Sequence, residues 1–230
     1  MKAAIITGAT KGIGRATAIE LAKNGYDIIA SARNEQELQQ LTVELKAYSV
    51  NVLALKVDFS EKAQVIAFVE KALGFAEDVH VLVNNVGSFV PSSFFDEDDE
   101  VFESQQLLNV NAAYYLGKRI GKQMLTQRFG HIFNICSVAS KTPVENAGSY
   151  SVTKAAMLSL NDVMRKELAA HHVKVTAVIP GSTYTSSWEG TTLAKEKFVQ
   201  PEDVARSISM ALQLSAAANV DEIVLTPLNF

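Results

Sequence analysis

The stretch A-A-I-I-T-G-A-T-K-G-I-G at residues 3–14 joins a short apolar run to three closely spaced glycines. The apolar run has the length and composition of a buried strand, and the residues that follow have a helical pattern. Gly8 can adopt the backbone angles of a tight turn, Gly12 has no Cβ to obstruct an anion, and Gly14 lets helix and sheet pack closely. The stretch therefore predicts a strand, a phosphate-binding turn and a helix whose first amides face the phosphate.

The ligand predicted for this turn is a dinucleotide. A P-loop nucleotide site, the competing interpretation, ends in Gly-Lys followed by Ser or Thr, and residues 7–14 lack that ending. A strand-to-helix turn without a ligand would have no need of three glycines in seven positions. The residues predicted to contact the cofactor in this turn are Gly8, Thr10, Lys11, Gly12, Ile13 and Gly14.

Outward from this turn, short β-branched runs alternate with amphipathic stretches of helical length. Most of the runs are apolar throughout, as expected when helices cover both faces of a sheet. This order predicts a Rossmann-type, doubly wound α/β fold of about seven parallel strands. No linker or repeat divides the chain, so residues 1–230 are predicted to form a single domain. The predicted strands are Ala3–Thr7, Asp27–Ala32, Val52–Val57, Val79–Asn84, His131–Cys136, Lys174–Ile179 and Glu222–Leu225, and the predicted helices are 13–24, 35–47, 61–73, 97–127, 150–171 and 202–214.

The end of the second predicted strand bears on the choice of cofactor. NAD sites usually carry an acid there for the ribose 2′-hydroxyl, but this strand ends in Ala32-Arg33, and Asp27 lies at its other end. The Arg33 guanidinium suits a 2′-phosphate, and Lys11 would add a second positive charge. The sequence therefore favours NADP(H) over NAD(H), with NAD(H) still possible.

Composition excludes several other classes of protein. Of the 230 residues, 48% are hydrophobic and 20% charged, and the net charge of −4 is unlike that of most nucleic-acid-binding proteins. No apolar run approaches the roughly 20 residues of a membrane span, and strand-like sequence from Ala3 onward predicts no leader peptide. With Cys136 as the only cysteine, no internal disulfide can form, which fits a cytoplasmic location.

Three further features have structural explanations. The four histidines are scattered without metal-ligand spacing, so no metal is predicted. Cys136 fits a small core residue better than a catalytic thiol. The acidic run at residues 96–100 fits the first turn of a helix, where carboxylates face the positive end of the helix dipole.

Tyr150 and Lys154, in Y-S-V-T-K, are the candidate acid-base pair. Four residues apart on a helix, their side chains share a face. A fixed cation beside a phenol favours the phenolate, which helps the phenol exchange a proton with a carbonyl oxygen. Alone, the pair fits a surface tyrosine and lysine equally well.

Further residues match in order and position. Asn111 follows the fourth predicted strand, and Ser137 follows the fifth. Together with Tyr150 and Lys154 they resemble the Asn-Ser-Tyr-Lys set of the short-chain dehydrogenase/reductase family. The resemblance covers essentially the whole chain. Its other landmarks are T-G-A-T-K-G-I-G at 7–14, Asp58 after the third strand, N-N-V-G at 84–87, and Pro180-Gly181 followed by Thr183 and Thr185.

This resemblance implies a function and a set of roles. Tyr150 would be the general acid/base, Ser137 would stabilise the substrate oxygen, and Lys154 would bind the nicotinamide ribose. Asn111 would help to hold a water that relays protons. The implied enzyme is an NADP(H)-dependent oxidoreductase of the carbonyl reductase type, acting on a ketone or secondary alcohol and assembled as a homodimer or homotetramer. Asp58 would contact the adenine, Asn85 and Gly87 would line the adenosine side, and Pro180, Gly181, Thr183 and Thr185 would frame the nicotinamide.

The sequence leaves the substrate open. A 3-oxoacyl thioester, a small β-hydroxy acid and a pterin-like or aromatic ketone all fit. The predicted rim contains Ser88, Phe89, Val90, Val138, Lys141, Val144, Trp188 and Leu193. Val86 replaces the alanine usual in N-N-A-G, and the segment 186–198 is short for a substrate lid. A non-catalytic, redox-sensing NADP(H)-binding protein is the alternative function, since a fold does not fix an activity.

Overall fold

Seven parallel strands form one sheet in the computed structural model, which describes residues 2–228. Their order across the sheet is β3-β2-β1-β4-β5-β6-β7, so the Rossmann-type α/β prediction is confirmed. The predicted strand limits agree within two residues at every end. The strands are β1 (Lys2–Thr7), β2 (Tyr26–Ala32), β3 (Val52–Lys56), β4 (Val79–Asn84), β5 (Gly130–Ile135), β6 (Val173–Pro180) and β7 (Glu222–Leu225).

Helices cover both faces of the sheet. One face carries α1, α2 and α7, whose apolar side chains pack with Ile6, Ile28 and Val83 of the strands. The other face carries α3, α5 and the end of α6, which pack with Ile5, Leu82 and others. Since both faces are covered, the strands are apolar throughout rather than alternating. The helices are α1 (Gly12–Lys23), α2 (Glu35–Leu45), α3 (Lys62–Phe75), α4 (Asp99–Gln106), α5 (Ala112–Gln127), α6 (Gly148–Leu168) and α7 (Pro201–Leu212).

The helix predicted over 97–127 is confirmed from Asp99 to Gln127, but it is not a regular α-helix throughout. The structure divides this region into α4, a π-helical segment Leu107–Asn111, and α5. Asp98 is the residue before α4, and Asp99 and Glu100 lie in its first turn, as expected for the end of the acidic run. A π-helical turn holds more residues than an α-helical one, so it changes which side chains face the neighbouring helix.

The strand order places a binding crevice at the carboxyl edge of the sheet. The chain runs outward through β2 and β3 on one side of β1, then returns to β4 on the other side. The loops after β1 and β4 therefore diverge, and ligands of doubly wound folds bind where they separate.

The glycine turn after β1 has the geometry its sequence predicts. Gly8 and Gly12 have positive φ values of 63° and 51°, which favour glycine. A Cβ on Gly14 would lie 2.2 Å from the Gly8 carbonyl oxygen and 2.5 Å from Asn85 Nδ2. Only glycine therefore lets α1 begin this close to the turn.

None of the helices described between residues 2 and 228 has the length and apolar character that a membrane crossing requires. Over the same residues, no three His, Cys, Asp or Glu side chains are grouped so that they could hold a metal ion.

Candidate active site

Two adjoining cavities occupy the carboxyl edge of the sheet. The first, of about 680 Å³, lies beside the ends of β1, β2 and β3 and is called the adenosine-side cavity. The second, of about 330 Å³, lies beside the ends of β5 and β6 and is called the catalytic cavity. Lys11, Asn85 and Gly87 line both, so one extended ligand can pass from the first into the second.

The adenosine-side cavity contains both predicted bases. Arg33 is exposed at its wall and forms no ion pair within residues 2–228. Lys11 Nζ lies 3.0 Å from Glu37 Oε1. The hydrogen bond from Lys11 lowers the pKa of Glu37, although burial acts in the opposite direction. Arg33, whose charge acts on Asp58 without a direct ion pair, is therefore available to an anionic ligand. Lys11 is already paired with Glu37, a carboxylate that the sequence interpretation did not include.

Asp58 lies next to this cavity, with its carboxylate turned toward its own loop. Its Oδ1 accepts hydrogen bonds from Ser60 N at 3.0 Å and Ser60 Oγ at 2.7 Å. Both bonds lower the pKa of the Asp58 carboxyl, and the bond from the Ser60 hydroxyl has the larger effect. The cavity wall itself is formed by the flanking residues Val57 and Phe59. The adenine contact implied for Asp58 stays a prediction.

Asn85 ties the turn after β4 to the glycine turn. Its Nδ2 donates to Thr7 O at 2.8 Å and to Gly8 O at 3.1 Å. In return, Thr7 Oγ1 accepts from the backbone amides of Asn85 and Val86, at 3.0 and 3.1 Å. This network fixes the two divergent loops against each other, so Asn85 has a structural task in addition to its place in the cavity wall.

Ser137, Tyr150 and Lys154 meet in the catalytic cavity. Ser137 follows the end of β5, and Tyr150 and Lys154 lie one turn apart in α6. Lys154 Nζ is 5.6 Å from the centre of the Tyr150 ring. The lysine is buried, with 5% of its surface exposed, and Nζ donates to Ile135 O at 2.8 Å. Its ammonium group is thus held by β5 beneath the tyrosine.

The backbone holds Ser137 in place. Ser137 N donates to Ser140 Oγ at 3.1 Å, and Ser137 Oγ accepts from Ala139 N at the same distance. Because the Oγ accepts that amide hydrogen, its own hydroxyl hydrogen is left to donate to a ligand oxygen in the cavity. This is the geometry of a preorganised donor.

The 180–185 segment forms the opposite wall of the catalytic cavity. Gly181 N donates to Leu225 O of β7 at 2.7 Å, and Thr183 Oγ1 donates to Gly181 O at 2.9 Å. A Cβ on Gly12 would lie 3.0 Å from Thr185 Cγ2, so this wall closes onto the glycine turn. Pro180, Gly181, Thr183, Thr185, Gly12 and Ile13 all line the cavity, as the sequence predicts.

Neither Asn111 nor its neighbour Asn109 is among the described residues that line the catalytic cavity. Asn111 Oδ1 accepts from Gln106 Nε2 at 3.3 Å. Asn109, two residues earlier, is buried, accepts from Ser88 N at 2.7 Å, and donates to Ser88 O and to Thr153 Oγ1, each at 3.0 Å. A Cβ on Gly87 would lie 2.8 Å from Asn109 Oδ1. Within the π-helical segment, the Asn109 side chain faces α6, while the role that the resemblance implies for Asn111 stays a prediction.

An aromatic side chain packs on the tyrosine. The ring centres of Phe89 and Tyr150 are 4.9 Å apart, in an edge-to-face arrangement. Of the predicted rim, Ser88, Phe89, Val138, Val144 and Trp188 line the catalytic cavity. Val90, Lys141 and Leu193 are not among the described lining residues. Lys141 instead forms an ion pair with Glu222 of β7.

Cys136 is a core residue, as its sequence context suggests. It packs with Met157 and Ala177 and lies, almost fully buried, in the wall of the catalytic cavity. Burial raises the pKa of the thiol to about 11, which keeps it protonated near neutral pH. Since the thiolate is the nucleophilic form, Cys136 is unsuited to covalent catalysis.

Comparison with known proteins agrees with this geometry. The family model for short chain dehydrogenase matches residues 2–196. An uncharacterized oxidoreductase of Staphylococcus saprophyticus is 31% identical over 227 residues, covering 98% of this chain and 97% of that protein.

Solved structures of short-chain oxidoreductases and alcohol dehydrogenases are also similar to this chain. An alcohol dehydrogenase from the archaeon Thermococcus sibiricus, complexed with 5-hydroxy-NADP, has a TM-score of 0.92 and 28% identity, covering 98% of this chain and 96% of that chain. A metagenomic short-chain oxidoreductase in complex with NADP has a TM-score of 0.87 and 26% identity, with the same two coverages. The chain therefore belongs to the short-chain dehydrogenase family of oxidoreductases.

Proposed function

We propose that this protein is an NADP(H)-dependent oxidoreductase that interconverts a ketone and a secondary alcohol, with Tyr150 as general acid/base. The observation that carries the proposal is the meeting of Ser137, Tyr150 and Lys154 in one cavity that adjoins the glycine turn. A carbonyl oxygen placed between the Ser137 and Tyr150 hydroxyls would have a hydrogen-bond donor on each side. This is the arrangement that carbonyl reduction requires.

The residues present fit a dinucleotide. The glycine turn borders both cavities, and helix α1 begins at Gly12, so its first backbone amides are available to a phosphate. Arg33 and Lys11 would hold the phosphates of the adenosine half, and Lys154 would bond the ribose of the other half. Bound NADPH would supply two electrons and one hydrogen to the substrate carbon.

The protein's own side chains would carry the remaining steps. In the reducing direction, Tyr150 Oη gives its proton to the carbonyl oxygen, and Ser137 Oγ donates a hydrogen bond to the same oxygen as charge develops. Lys154 stabilises the phenolate that remains. We assign to Asn109 the role first given to Asn111, because Asn109 joins the loop after β4 to α6 beside Lys154. Reprotonation of Tyr150 from solvent then completes the cycle.

The preference for NADP(H) over NAD(H) rests on Arg33 and Lys11. The end of β2 carries no acid, and Arg33 is exposed at the wall of the adenosine-side cavity. Similar solved proteins were crystallised with NADP, 5-hydroxy-NADP or NADPH. Measurement of kcat/KM with both cofactors tests this preference: NADPH should be favoured by at least about tenfold, and equal values would contradict it.

The central experiment is NADPH consumption against a panel of ketones, aldehydes and oxoacyl thioesters. We expect ketones to be reduced to secondary alcohols. Tight NADPH binding with no turnover across the panel would instead support the alternative of a redox-sensing protein. The catalytic cavity argues against that alternative, because a sensor has no chemical use for the Ser137, Tyr150 and Lys154 arrangement.

A homodimer or homotetramer is part of the proposal. Large apolar side chains are exposed on α4, the π-helical segment, α5 and α6, where neighbouring helices form one surface. Such a surface is typical of an interface between copies. Sedimentation as a monomer at micromolar concentration would contradict this assembly. The exposed side chains are Phe102, Leu107, Tyr114, Val152 and Val163.

A further inference from the structure

We propose that the substrate is a small, uncharged ketone with an apolar or aromatic substituent, and that anionic keto compounds are poor substrates. This inference rests on the proposed function, since it names the substrate class of the same cavity. It is carried by the side chains beyond the reacting centre and by the charges around them.

Apolar side chains form the part of the catalytic cavity that lies beyond Ser137 and Tyr150. Phe89 packs against the Tyr150 ring, so a substituent of the reacting carbonyl would lie beside the Phe89 ring. Val138, Val144 and Trp188 complete the apolar lining. Trp188 is itself supported by the buried Phe198, with ring centres 4.9 Å apart. Two aromatic rings in one small cavity favour a flat, apolar substituent.

Positive charge is absent from the places where an anionic substrate would need it. Among the described residues that line the catalytic cavity, Lys11 and Lys154 carry the only charges. Lys11 lies at the adenosine side, and Lys154 is held under Tyr150 by Ile135. Lys141, the rim lysine suggested by the sequence, is paired with Glu222.

Several exposed carboxylates lie close in the chain to residues of the cavity wall. Glu145 and Glu189 are exposed, and they directly follow the lining residues Val144 and Trp188 in the chain. The run at 96–100 follows the loop that carries Phe89, and its members Asp96, Asp98, Asp99 and Glu100 are exposed. Negative potential at an entrance lowers the local concentration of anions. A carboxylate or phosphate would therefore be repelled outside and unpaired inside.

Size limits the substrate as well. The catalytic cavity has about 330 Å³, near the lower end of the usual range for ligand pockets, about 300–1,000 Å³. The same space must receive the nicotinamide. A compact ketone therefore fits better than a thioester that carries a long acyl chain.

The first test compares acetophenone with its para-carboxylate derivative, 4-acetylbenzoate, as substrates. We expect kcat/KM with NADPH to be at least about tenfold higher for acetophenone, since a buried unpaired carboxylate is costly. Equal values, or a preference for the carboxylate, would overturn the inference while leaving the proposed function intact.

A variant sharpens this test. Val144 is 48% exposed at the cavity wall, so the Val144→Lys side chain would reach the entrance without overpacking it. The substitution should improve the catalytic efficiency with the carboxylate derivative about fivefold relative to acetophenone, the size expected for one partly exposed ion pair. Val43→Lys, at an exposed position of α2, is the matched control and should leave the ratio of the two efficiencies unchanged. An unchanged ratio in Val144→Lys would count against the inference.

Binding supplies a readout independent of turnover. Trp188 is the only tryptophan of the chain and lines this cavity, so its fluorescence responds to a ligand that binds there. With NADP⁺ present, acetophenone should quench it at lower concentrations than the carboxylate derivative, after correction with free tryptophan for light absorption. If no ketone is reduced, the proposed function fails, and this titration still decides the inference. Equal quenching by both compounds, or quenching by neither, would overturn it.

Discussion

The two halves of the site differ in how they are built. The adenosine-side cavity depends on backbone, because its turn exists only where glycines permit it and Asn85 ties it to β4. The substrate end of the catalytic cavity depends on side chains from three separate loops, among them Phe89, Val144 and Trp188. Backbone geometry is visible in a sequence as glycines at fixed spacing. Packing between distant loops leaves no such pattern in the sequence. The ligand of the adenosine-side cavity can therefore be predicted from the sequence, whereas the substrate of the catalytic cavity cannot.

The largest effect is expected from a substitution in the glycine turn of the adenosine-side cavity. Gly14→Ala would place a Cβ 2.2 Å from the Gly8 carbonyl oxygen. We expect NADPH binding to be lost and the free energy of unfolding to fall by about 3 kcal/mol, the upper range for overpacking. Urea unfolding and NADPH titration measure both quantities.

Gly74→Ala is the matched control for this prediction. Gly74 also lies in a helix, and its Cβ would meet nothing within 4 Å. The change should stabilise the protein by up to about 1 kcal/mol, because alanine favours the helix. Similar losses of stability in both variants would show that Gly14 has no special steric task.

The next prediction concerns Asn109, which connects the loop after β4 to α6. Asn109→Ala removes the three hydrogen bonds to Ser88 and Thr153, so turnover should fall at least about tenfold, about 1.4 kcal/mol in activation free energy. Asn111→Ala loses one bond to Gln106 and should retain most activity. Steady-state kcat measures both variants, with cofactor affinity as a check on the fold. The reverse ranking would restore Asn111 to the role the sequence gave it.

A third prediction concerns the sheet that both halves share. His131 Nε2 lies 2.7 Å from Thr176 Oγ1, whose own hydrogen goes to Val220 O, so the ring is the donor. Burial lowers the pKa of His131 to about 3 from 6.5. The unfolded chain protonates His131 more readily than the folded protein does. The contribution of the neutral, buried His131 to the free energy of unfolding is therefore complete above pH 6.5 and is lost as pH falls toward 3.

Between pH 6.5 and 5, this histidine should lower the free energy of unfolding by about 2 kcal/mol, at about 1.4 kcal/mol per pH unit. His131→Gln should remove that dependence, so urea unfolding at the two pH values should show a shallower decline. Both halves of the site should be lost at one midpoint. An identical pH dependence in the variant would contradict the assignment.

The smallest predicted effect concerns the side-chain-built half. The Glu97 carboxylate accepts hydrogen bonds from Ser92 and Ser149, which joins the loop carrying Phe89 to the start of α6. Glu97→Ala should raise KM for the ketone about fivefold, as expected for the loss of bonds worth about 1 kcal/mol. The Kd of NADPH should stay the same. Glu100→Ala, exposed in the first turn of α4, is the control; an equal rise in KM there would contradict the role of Glu97.

The sequence was sufficient for features set by local spacing. The strand positions, the glycine turn and the shared face of Tyr150 and Lys154 all follow from periodicity and from residues close together in the chain. Features set by long-range pairing were missed. Lys141 pairs with Glu222, 81 positions away, and Glu37 pairs with Lys11 across the cofactor turn. No spacing rule predicts such contacts.

The asparagine shows a third kind of difficulty. Asn109 and Asn111 are two positions apart in L-L-N-V-N, and a regular helix does not distinguish which one faces α6. In the structure this stretch is π-helical and packs against α6, and Asn109 is the one that bonds to Thr153 of α6. Family resemblance points to Asn111, whereas the observed hydrogen bonds favour Asn109, and the two variants above distinguish them.

The most direct test of the central claim is NADPH oxidation by Tyr150→Phe, with NADPH affinity measured in parallel. The substitution removes only the hydroxyl, and the ring keeps its contact with Phe89. We predict that kcat falls at least about a hundredfold, as expected for loss of a general acid, while the Kd of NADPH changes little. Turnover within a few fold of the native protein would show that the proton comes from elsewhere and would contradict the assignment of Tyr150.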